Sequence, residues 1–363
     1  MTDRRYSATA IHKQITSVLS AWGMADKHVA ITADVMVETD LWGVDSHGIQ
    51  MLAMYEMLKR EGRLNVHANI QVVDETAVMA RIDGDAGLGH PVAHKGMHMA
   101  VDKALATGIG AVTAFNSHHF GAAGVYSKIA SDRGCIGITT STARTIAVVP
   151  TFGAEPVLGT NPIAFAAPAN SHRPFILDMA TSAVAVNKIK VYALHDQVLA
   201  AGWVADGSGA AVTDAHDAVR IITEDDAGGL NPTGGTRTLG SHKGYGLGVI
   251  AQILAGALAG ACFAPIRKRN AVPGQADDLG HFFLAIDPQR FVPDGDFGAA
   301  MDEILGVLRD TKAADPQQPV LIPGDPEFHS HQERSRDGVP LPVTLTSQIE
   351  GIAERSGVDF LLA

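Results

Sequence analysis

Cysteine is scarce in this 363-residue sequence, which contains only Cys135 and Cys262. Two thiols cannot form a framework of several disulfides, nor can they supply the four thiolate ligands of a structural zinc site. Cysteine usage therefore favours a reducing compartment. The N-terminal segment has Lys13 inside an amphipathic pattern, where a signal peptide would have an uninterrupted apolar core. We therefore expect a cytoplasmic protein.

Clusters of positive charge are also missing. Lys and Arg number 28 against 39 Asp and Glu, which gives a formal net charge of -11. Because nucleic acids and anionic membranes are bound through clustered positive charge, neither is an expected partner. Small molecules or other protein chains are expected instead.

One stretch, residues 244–266, has no charged residue and is about as long as a membrane-spanning helix. Five glycines, Tyr245, Gln252 and Pro265 interrupt it. Such a composition is also typical of a helix inside a large core. We therefore predict a buried helix and no membrane span.

Three common glycine motifs are absent. The chain has no Gly-x-Gly-x-x-Gly loop of a Rossmann fold, no Gly-x-x-x-x-Gly-Lys-Ser/Thr phosphate loop and no Gly-x-Ser-x-Gly nucleophile turn. A nucleotide that binds this chain must therefore be held in some other way.

The spacing of apolar residues divides the chain into three predicted regions. Residues 1–70 are predicted to be helical and to pack with the C-terminal segment 313–363. Strands and helices alternate in residues 71–240, the predicted cofactor- and substrate-binding region, in which residues 205–240 form a long irregular excursion. Residues 241–312 contain the buried helix, a strand and an amphipathic helix that complete the core.

Histidine is abundant, with 16 residues, and it occurs in three polar, turn-forming segments. A histidine of near-neutral pKa exchanges a proton readily, and a neighbouring glycine lets a ligand approach closely. Each segment alone is better explained as a helix cap or turn, whereas the three together favour chemistry. The segments are Asp45-Ser46-His47-Gly48, Asn116-Ser117-His118-His119-Phe120-Gly121 and Ser241-His242-Lys243-Gly244.

A zinc site is the main alternative use of histidine. His90, His94 and His98 recur at every fourth position, which would place them on one helix face. Neither His90 nor His94 is followed by the Glu of a His-Glu-x-x-His motif. We therefore interpret them as a solvated helix face and predict no metal. A zinc-dependent hydrolase and a catalytically silent binding protein remain as alternatives.

Asp178 lies where a predicted strand, residues 175–177, gives way to a predicted helix, residues 179–194. This position suits an N-cap of that helix, and a carboxylate near a histidine would also orient it. The amides and hydroxyls that follow, in Ala180, Thr181 and Ser182, would suit a cofactor phosphate.

Six motifs follow one another along the chain: Asp45-Ser46-His47-Gly48, Ser117-His118-His119-Phe120-Gly121, Gly159-Thr160-Asn161-Pro162, Leu177-Asp178-Met179-Ala180-Thr181-Ser182, His242-Lys243-Gly244-Tyr245-Gly246 and Pro323-Gly324-Asp325-Pro326-Glu327. In this order they resemble the second type of malate/L-lactate dehydrogenase family. That non-Rossmann family includes sulfolactate, ureidoglycolate and diketogulonate oxidoreductases and reductases of cyclic imines. The resemblance covers residues 7–356 and explains the missing glycine motif.

The resemblance implies an α/β (α+β) fold with a largely antiparallel central sheet and flanking helices. It also implies a nicotinamide cofactor, NAD or NADP, and usually a homodimer. By position, His47 matches the histidine that exchanges a proton with the substrate oxygen, with Ser46 beside it. His119 matches a histidine with that role, or one next to the nicotinamide, in other members. Either His119 or Asp178 is expected to tune His47.

Other matched positions correspond to cofactor contacts. Thr160 and Pro162 are expected to line the nicotinamide pocket. The remaining matched residues are His119, Asp178, Met179, Ala180, Thr181, Ser182, His242, Lys243, Gly324, Asp325 and Pro326.

One departure concerns the substrate. Many members read Ser-His-Gly-x-x-Arg, where the arginine suits a bidentate clamp on a carboxylate, but this chain has Met51 there. Arg144, after a predicted strand, is our preferred replacement. With His47, Met51 and Arg144 at the substrate, the resemblance implies hydride transfer between the nicotinamide and C2 of a 2-oxo or 2-hydroxy acid. A cyclic imino acid is the alternative substrate.

Overall fold

The computed structural model describes residues 4–270, 272–292 and 296–362. Its strands are β1 (Arg4–Tyr6), β2 (Gln71–Glu75), β3 (Met79–Gly87), β4 (Ile109–Ser117), β5 (Ile136–Ser141), β6 (Ile163–Ala167), β7 (Phe175–Met179), β8 (Val204–Ala205), β9 (Ala211–Val212), β10 (Gly229–Leu230), β11 (Leu279–Ile286) and β12 (Val339–Leu341). Its helices are α1 (Ala8–Ala21), α2 (Asp26–Leu41), α3 (Leu52–Arg60), α4 (Gly89–Thr107), α5 (Ala123–Asp132), α6 (Val186–Leu194), α7 (Ala215–Thr223), α8 (Ser241–Gln252), α9 (Ala264–Arg269), α10 (Phe297–Arg309), α11 (Asp325–Asp337) and α12 (Val343–Ser356). Shorter helical turns are the 3-10 turns Asp45–His47, Ile49–Met51 and Pro288–Arg290 and the π-helical turn Ile253–Ala257.

A seven-stranded sheet forms the centre of the fold, in the order β2-β3-β4-β11-β5-β6-β7. Every neighbouring pair is antiparallel except β3 and β4, which confirms the largely antiparallel sheet. Helices α4 and α5 cover one face, and their buried apolar side chains form a core with those of the strands. Gly96 of α4 allows a close approach, because a β-carbon there would lie 2.6 Å from the Phe283 ring of β11.

A second apolar core joins the two ends of the chain. Strand β1 pairs with β12, and α12 packs against α1 and α3 around side chains that include Ile15 and Ile349. The Arg355 guanidinium donates two hydrogen bonds to the Glu56 carboxylate, at 2.8 and 2.7 Å. These contacts support the predicted packing of the N-terminal region with the C-terminal segment. The domain boundaries themselves stay predictions.

Two local predictions are wrong. The helix expected over residues 179–194 begins only at Val186, because β7 continues to Met179 and a loop follows. The excursion over residues 205–240 is not irregular throughout, since it contains α7, and its strands form a small three-stranded sheet, β10-β8-β9.

The uncharged stretch 244–266 is not one buried helix. It contains most of α8, the π-helical turn and the first residues of α9. Small residues face inwards, as at Gly248, where a β-carbon would lie 2.9 Å from the Thr181 hydroxyl. Large apolar side chains are exposed, by 38 to 58%, at Leu247, Ile250, Ile253 and Leu258. The described residues include no helix long and apolar enough to cross a bilayer.

Candidate active site

Two predicted site residues, His119 and Arg144, lie at one edge of the central sheet. Strands β4 and β5 both run antiparallel to β11, so they end at the same edge, where β11 begins. His119 follows the end of β4, and Arg144 follows the end of β5. The topology therefore places these two residues near each other, and the positive charge of Arg144 is among the influences that lower the pKa of His119.

His47, from the helical N-terminal region, lies next to His119 at this edge of the sheet. It ends the 3-10 turn Asp45–His47, and its Nδ1 lies 2.7 Å from the Ser46 hydroxyl. Its ring centroid is 5.2 Å from that of His119. Burial lowers the pKa of His47 below its usual 6.5. The neutral imidazole is therefore favoured, and Nε2 is the nitrogen that Ser46 leaves available.

Tyr55 of α3 holds the second histidine. Its hydroxyl lies 2.7 Å from Nδ1 of His119, and the Gly121 amide donates to the same nitrogen at 3.3 Å. Burial, together with the neighbouring His47 and His90, lowers the pKa of His119 well below its usual value. Burial also raises the pKa of Tyr55 well above 10.0, so its hydroxyl stays a donor. These contacts assign Nδ1 of His119 as an acceptor and leave its Nε2 for a ligand.

Asp40 packs against the segment directly after His47. This carboxyl is 1% exposed and accepts a hydrogen bond from the Ile49 amide at 2.9 Å. Gly48 lies directly against it, and a β-carbon at that position would overlap the carboxyl oxygens. Glycine after His47 is therefore required by packing.

Asp178 does not cap the helix that follows it. It lies within β7, and its Oδ2 accepts a hydrogen bond of 2.7 Å from the Gly124 amide in the first turn of α5. Burial raises its pKa to about 6. No hydrogen bond joins it to a histidine among the described residues. Its predicted N-cap role is wrong, because the chain stays extended past it.

Several polar groups in the segment after Asp178 form hydrogen bonds within the protein. The Thr181 amide and hydroxyl both donate to the Thr160 carbonyl, at 2.8 and 3.0 Å. The Ser182 hydroxyl donates to the Val184 carbonyl at 2.9 Å. No helix begins at this point, and these three groups link the loop to its neighbours. The predicted cofactor contacts of this segment stay predictions. Met179 ends β7, and Ala180 and Pro162 are half-buried in the same region.

Two other predicted cofactor segments lie at helix starts. His242 and Lys243 are exposed in the first turn of α8, where Arg237 lies 2.9 Å from Nδ1 of His242. Gly324 precedes α11 and packs against Ile176 of β7, two residues from Asp178. The adjoining Pro326 is exposed. The Asp325 carboxylate is buried and accepts hydrogen bonds of 2.9 Å from both Arg173 and Arg309. Its side chain therefore holds the turn in place.

Met51 and Arg144 have different surroundings. Met51 packs against the apolar core of the terminal helices. Arg144 lines an open cavity of about 890 Å3, whose lining includes neither His47 nor His119. The Arg144 guanidinium lies 3.9 Å from the Asp277 carboxylate and donates no hydrogen bond within the described chain.

The histidine stripe on α4 is only partly solvated. His90 is completely buried, and its Nε2 lies 3.5 Å from the Tyr55 hydroxyl, so its assignment to a solvated face is wrong. His94 and His98 are half-buried, with ring centroids 4.3 Å apart. The described residues contain no group of three or more potential metal ligands.

Several site residues were not identified from the sequence. Tyr55 is 64 residues from His119 in sequence, and Asp40 contacts Gly48 and Ile49 beside His47; neither belongs to a recognisable motif. Asn161 stands inside a motif that was noted, and its amide links the loops: it accepts from the Ala143 amide at 3.2 Å and donates to the Gly248 carbonyl at 3.1 Å.

Two neutral histidines, held by a serine and a tyrosine at one edge of the sheet, define an enzyme site suited to proton exchange. The sheet beneath it has no Rossmann glycine loop. Comparisons with known proteins identify the family that has this architecture. A sequence model described as malate/L-lactate dehydrogenase matches residues 6–350.

Individual relatives agree over nearly the whole chain. Malate dehydrogenase of Pyrococcus horikoshii is 36% identical over 348 residues, 96% of this chain and 94% of that protein. L-sulfolactate dehydrogenase of Methanocaldococcus jannaschii is 35% identical over 348 residues, 96% of each chain. The crystal structure of malate dehydrogenase from Entamoeba histolytica has a TM-score of 0.92 at 31% identity, covering 98% of this chain and 99% of that one. This chain belongs to the malate/L-lactate dehydrogenase family and is an oxidoreductase with a nicotinamide cofactor.

Proposed function

We propose that this protein transfers a hydride between NAD or NADP and C2 of a 2-hydroxy or 2-oxo acid. The observation that carries the proposal is the pairing of two histidines at one sheet edge, with ring centroids 5.2 Å apart. Ser46 holds His47, and Tyr55 holds His119, through hydrogen bonds to Nδ1. Oxidation of an alcohol needs a base for the hydroxyl proton, and carbonyl reduction needs the same group as an acid. A histidine serves both directions.

His47 exchanges that proton through Nε2. Because burial keeps its imidazole neutral, it accepts the hydroxyl proton during oxidation and returns it during reduction. The Ser46 hydroxyl fixes the ring through Nδ1. His119, held by Tyr55, directs its Nε2 donor to the same oxygen and tunes His47.

Arg144 binds the carboxylate next to C2. Its guanidinium is close enough to His119 to affect the pKa of that histidine, and it has no hydrogen-bond partner within the described residues. A planar guanidinium suits a carboxylate, because two parallel hydrogen bonds fix the orientation of the acid. At the position where many members have an arginine, Met51 provides an apolar side chain, which packs against the core of the terminal helices.

The described residues also fit a nicotinamide cofactor, which supplies or accepts the hydride when bound. Arg237, His242 and Lys243 surround the first turn of α8, a position suited to the pyrophosphate. Near Asp178, the buried Oε2 of Glu327 has no hydrogen-bond partner among the described residues. Such a carboxylate oxygen suits a ribose hydroxyl. The assay below, which offers NADH and NADPH separately, distinguishes the two cofactors. We also propose that the protein is a cytoplasmic homodimer.

Oxidation of NADH and of NADPH, each tested separately with 2-oxo acids and with cyclic imino acids, can be measured by the absorbance of the reduced nicotinamide. We expect turnover with 2-oxo acids. His47→Ala should lower kcat by about a hundredfold or more and leave the cofactor Kd within about twofold. His216→Ala, an exposed histidine paired with Asp196, is the matched control and should leave kcat unchanged.

Three results would change the proposal. Turnover of imino acids alone would assign the alternative substrate class. Normal turnover by His47→Ala together with an inactive His119→Ala variant would move the proton exchange to His119. Cofactor binding with no turnover of any substrate would indicate a binding protein.

A further inference from the structure

Unusual backbone conformations gather at the sheet edge that carries His119. Seven residues other than glycine have a positive φ in the described part of the chain, and four of them lie together here. The four are Asp85, Ala86, Asn116 and Asp278, with φ between 49 and 53°. A residue with a β-carbon keeps this left-handed conformation only where its surroundings hold it, and such residues are frequent at functional sites.

Asn116 lies in a β-bulge of β4. Ser117 pairs with Leu279 of β11 and Ala114 pairs with His281, so two residues of β4 oppose one residue of β11 between these pairs. Burial along the strand shifts at the same point. Ala114 is buried, but the next buried side chain is that of Ser117, because Asn116 is partly exposed. The bulge therefore exchanges the two faces of the strand for every residue that follows it.

This exchange sets the direction of the segment that follows Asn116. The Ser117 hydroxyl, turned inwards, lies 2.9 Å from Nε2 of His281. The His281 ring stacks on Phe120, with centroids 4.7 Å apart and planes within 5° of parallel. His119 stands between Ser117 and Phe120 in the chain, so both of its flanks are fixed by contacts that depend on the bulge.

Two carboxylates hold the bulge in place. The Asn116 main-chain amide donates to Oδ1 of Asp278 at 2.7 Å, and its side-chain amide donates to Oδ1 of Asp83 at 2.8 Å. Each carboxylate is fixed by a further main-chain amide. Asp278 also accepts from Cys262 at 2.9 Å, and Asp83 also accepts from Asp85 at 2.8 Å. The bulge is therefore connected to the chain on both sides of β4.

We propose that Asn116 is a positioning residue whose left-handed bulge, held by Asp83 and Asp278, directs the His119 side chain to the reacting oxygen. The inference rests on the proposed function of His119. Asn116 forms no hydrogen bond with His119 among the described residues, so it acts through the backbone that joins them. Asparagine suits this position, because its short polar side chain tolerates the left-handed conformation and forms local hydrogen bonds.

The test changes the backbone preference at Asn116. Asn116→Val should lower kcat about tenfold or more and leave the cofactor Kd within about twofold, because a branched side chain disfavours a positive φ and small displacements of a catalytic group are costly. Asn116→Gly should recover most of kcat, since glycine adopts this conformation freely. Asp196→Val is the matched control. Asp196 also has a φ of 49°, but it is exposed after α6 and pairs only with His216, so its replacement should leave kcat unchanged.

A second measurement needs no turnover. In protein with nitrogen-15 in its histidines, the NMR signal of Nδ1 of His119 reports the hydrogen bond from Tyr55, and a His119→Gln variant identifies that signal. We expect the signal to shift in Asn116→Val and to stay in place in Asn116→Gly and Asp196→Val. Asn116→Ala, a milder change, should shift it in the same direction if the valine variant does not fold.

Two outcomes would overturn the inference. One is a folded Asn116→Val or Asn116→Ala variant with unchanged kcat and an unchanged His119 signal. The other is an equal loss in Asn116→Gly and Asn116→Val, because the left-handed backbone would then not be the cause. If the wild type turns over no 2-oxo acid, the proposed function fails, and the NMR comparison alone decides whether Asn116 positions His119.

Discussion

Asp40 shows how a single buried side chain sets the geometry of the site. Its carboxyl packs against Gly48 and accepts the Ile49 amide, so it fixes the backbone on either side of the turn after His47. Burial raises the pKa of Asp40 to about 8, with a smaller contribution from the negative charge of Asp45. At neutral pH the neutral acid therefore predominates in the folded protein.

The raised pKa of Asp40 predicts a particular pH dependence of stability. The unfolded carboxyl ionises near 3.8 and the folded one near 8, so between these values the folded state holds the extra proton. Its contribution to stability is full below the unfolded pKa and is lost as pH rises through this window. Asp40→Asn keeps the acceptor oxygen and has no proton to lose. Its melting temperature should therefore increase relative to wild type between about pH 5 and pH 8.

Thermal unfolding at several pH values measures this difference. Asp132→Asn, an exposed carboxylate paired with Lys128, is the matched control and should show no such trend. A melting difference for Asp40→Asn that stays constant across the pH range would contradict the raised pKa.

At the scale of elements, α11 connects two parts of the site. It begins at the Gly324 turn beside β7, and its later turns hold the segment that carries His47. The Ser330 hydroxyl donates to the Leu41 carbonyl at 3.0 Å. Arg334 donates to the Asp40 carbonyl at 2.7 Å and forms an ion pair with Asp45. This helix therefore fixes the position of the predicted proton-exchanging histidine relative to the cofactor segments.

Arg334→Met should loosen the His47 turn. We expect kcat to fall about tenfold with little change in cofactor Kd, and the free energy of unfolding to fall by about 1 to 3 kcal/mol, the usual value for charge-assisted hydrogen bonds. Steady-state kinetics and denaturant unfolding measure both. Arg334→Lys should recover part of kcat. Arg336→Met, exposed on the same helix, should change neither quantity, and an unchanged kcat in Arg334→Met would exclude the positioning role.

The success of the sequence predictions depended on how each element is stabilised. Helices α4 and α5 and strands β4 and β5 follow regular apolar patterns, because they form the main core. Helix α11 was not predicted, since it packs through polar groups such as Arg334 and has no apolar stripe. At the site, the histidine motifs were found, but Tyr55 and the linking role of Asn161 were not, because their contacts depend on chain segments far apart in sequence.

For the molecule as a whole, α8 and the π-helical turn that follows it have an unusual distribution of side chains. Large apolar side chains normally face the core and are exposed here. Glycine and alanine face the protein, and Leu247, Ile250, Ile253 and Leu258 face outwards. Apolar content in the sequence predicted burial, whereas these four side chains are exposed within one subunit. Several large exposed apolar side chains in one segment are typical of an interaction surface, and we expect a second subunit to cover them.

A symmetric dimer would cover this patch with its own copy, since in a two-fold interface the same residues meet on both subunits. Full burial of one such side chain contributes about 1.5 to 3 kcal/mol, so introducing one carboxylate on each subunit should prevent association. Light scattering after size-exclusion chromatography should give a dimer for the wild type and a folded monomer for Ile250→Glu. Folding should persist, because Ile250 is already 49% exposed within the subunit. Leu194→Glu, 82% exposed at the end of α6, should remain dimeric. A monomeric wild type, or a dimeric Ile250→Glu variant, would show that this helix face is not the dimer interface.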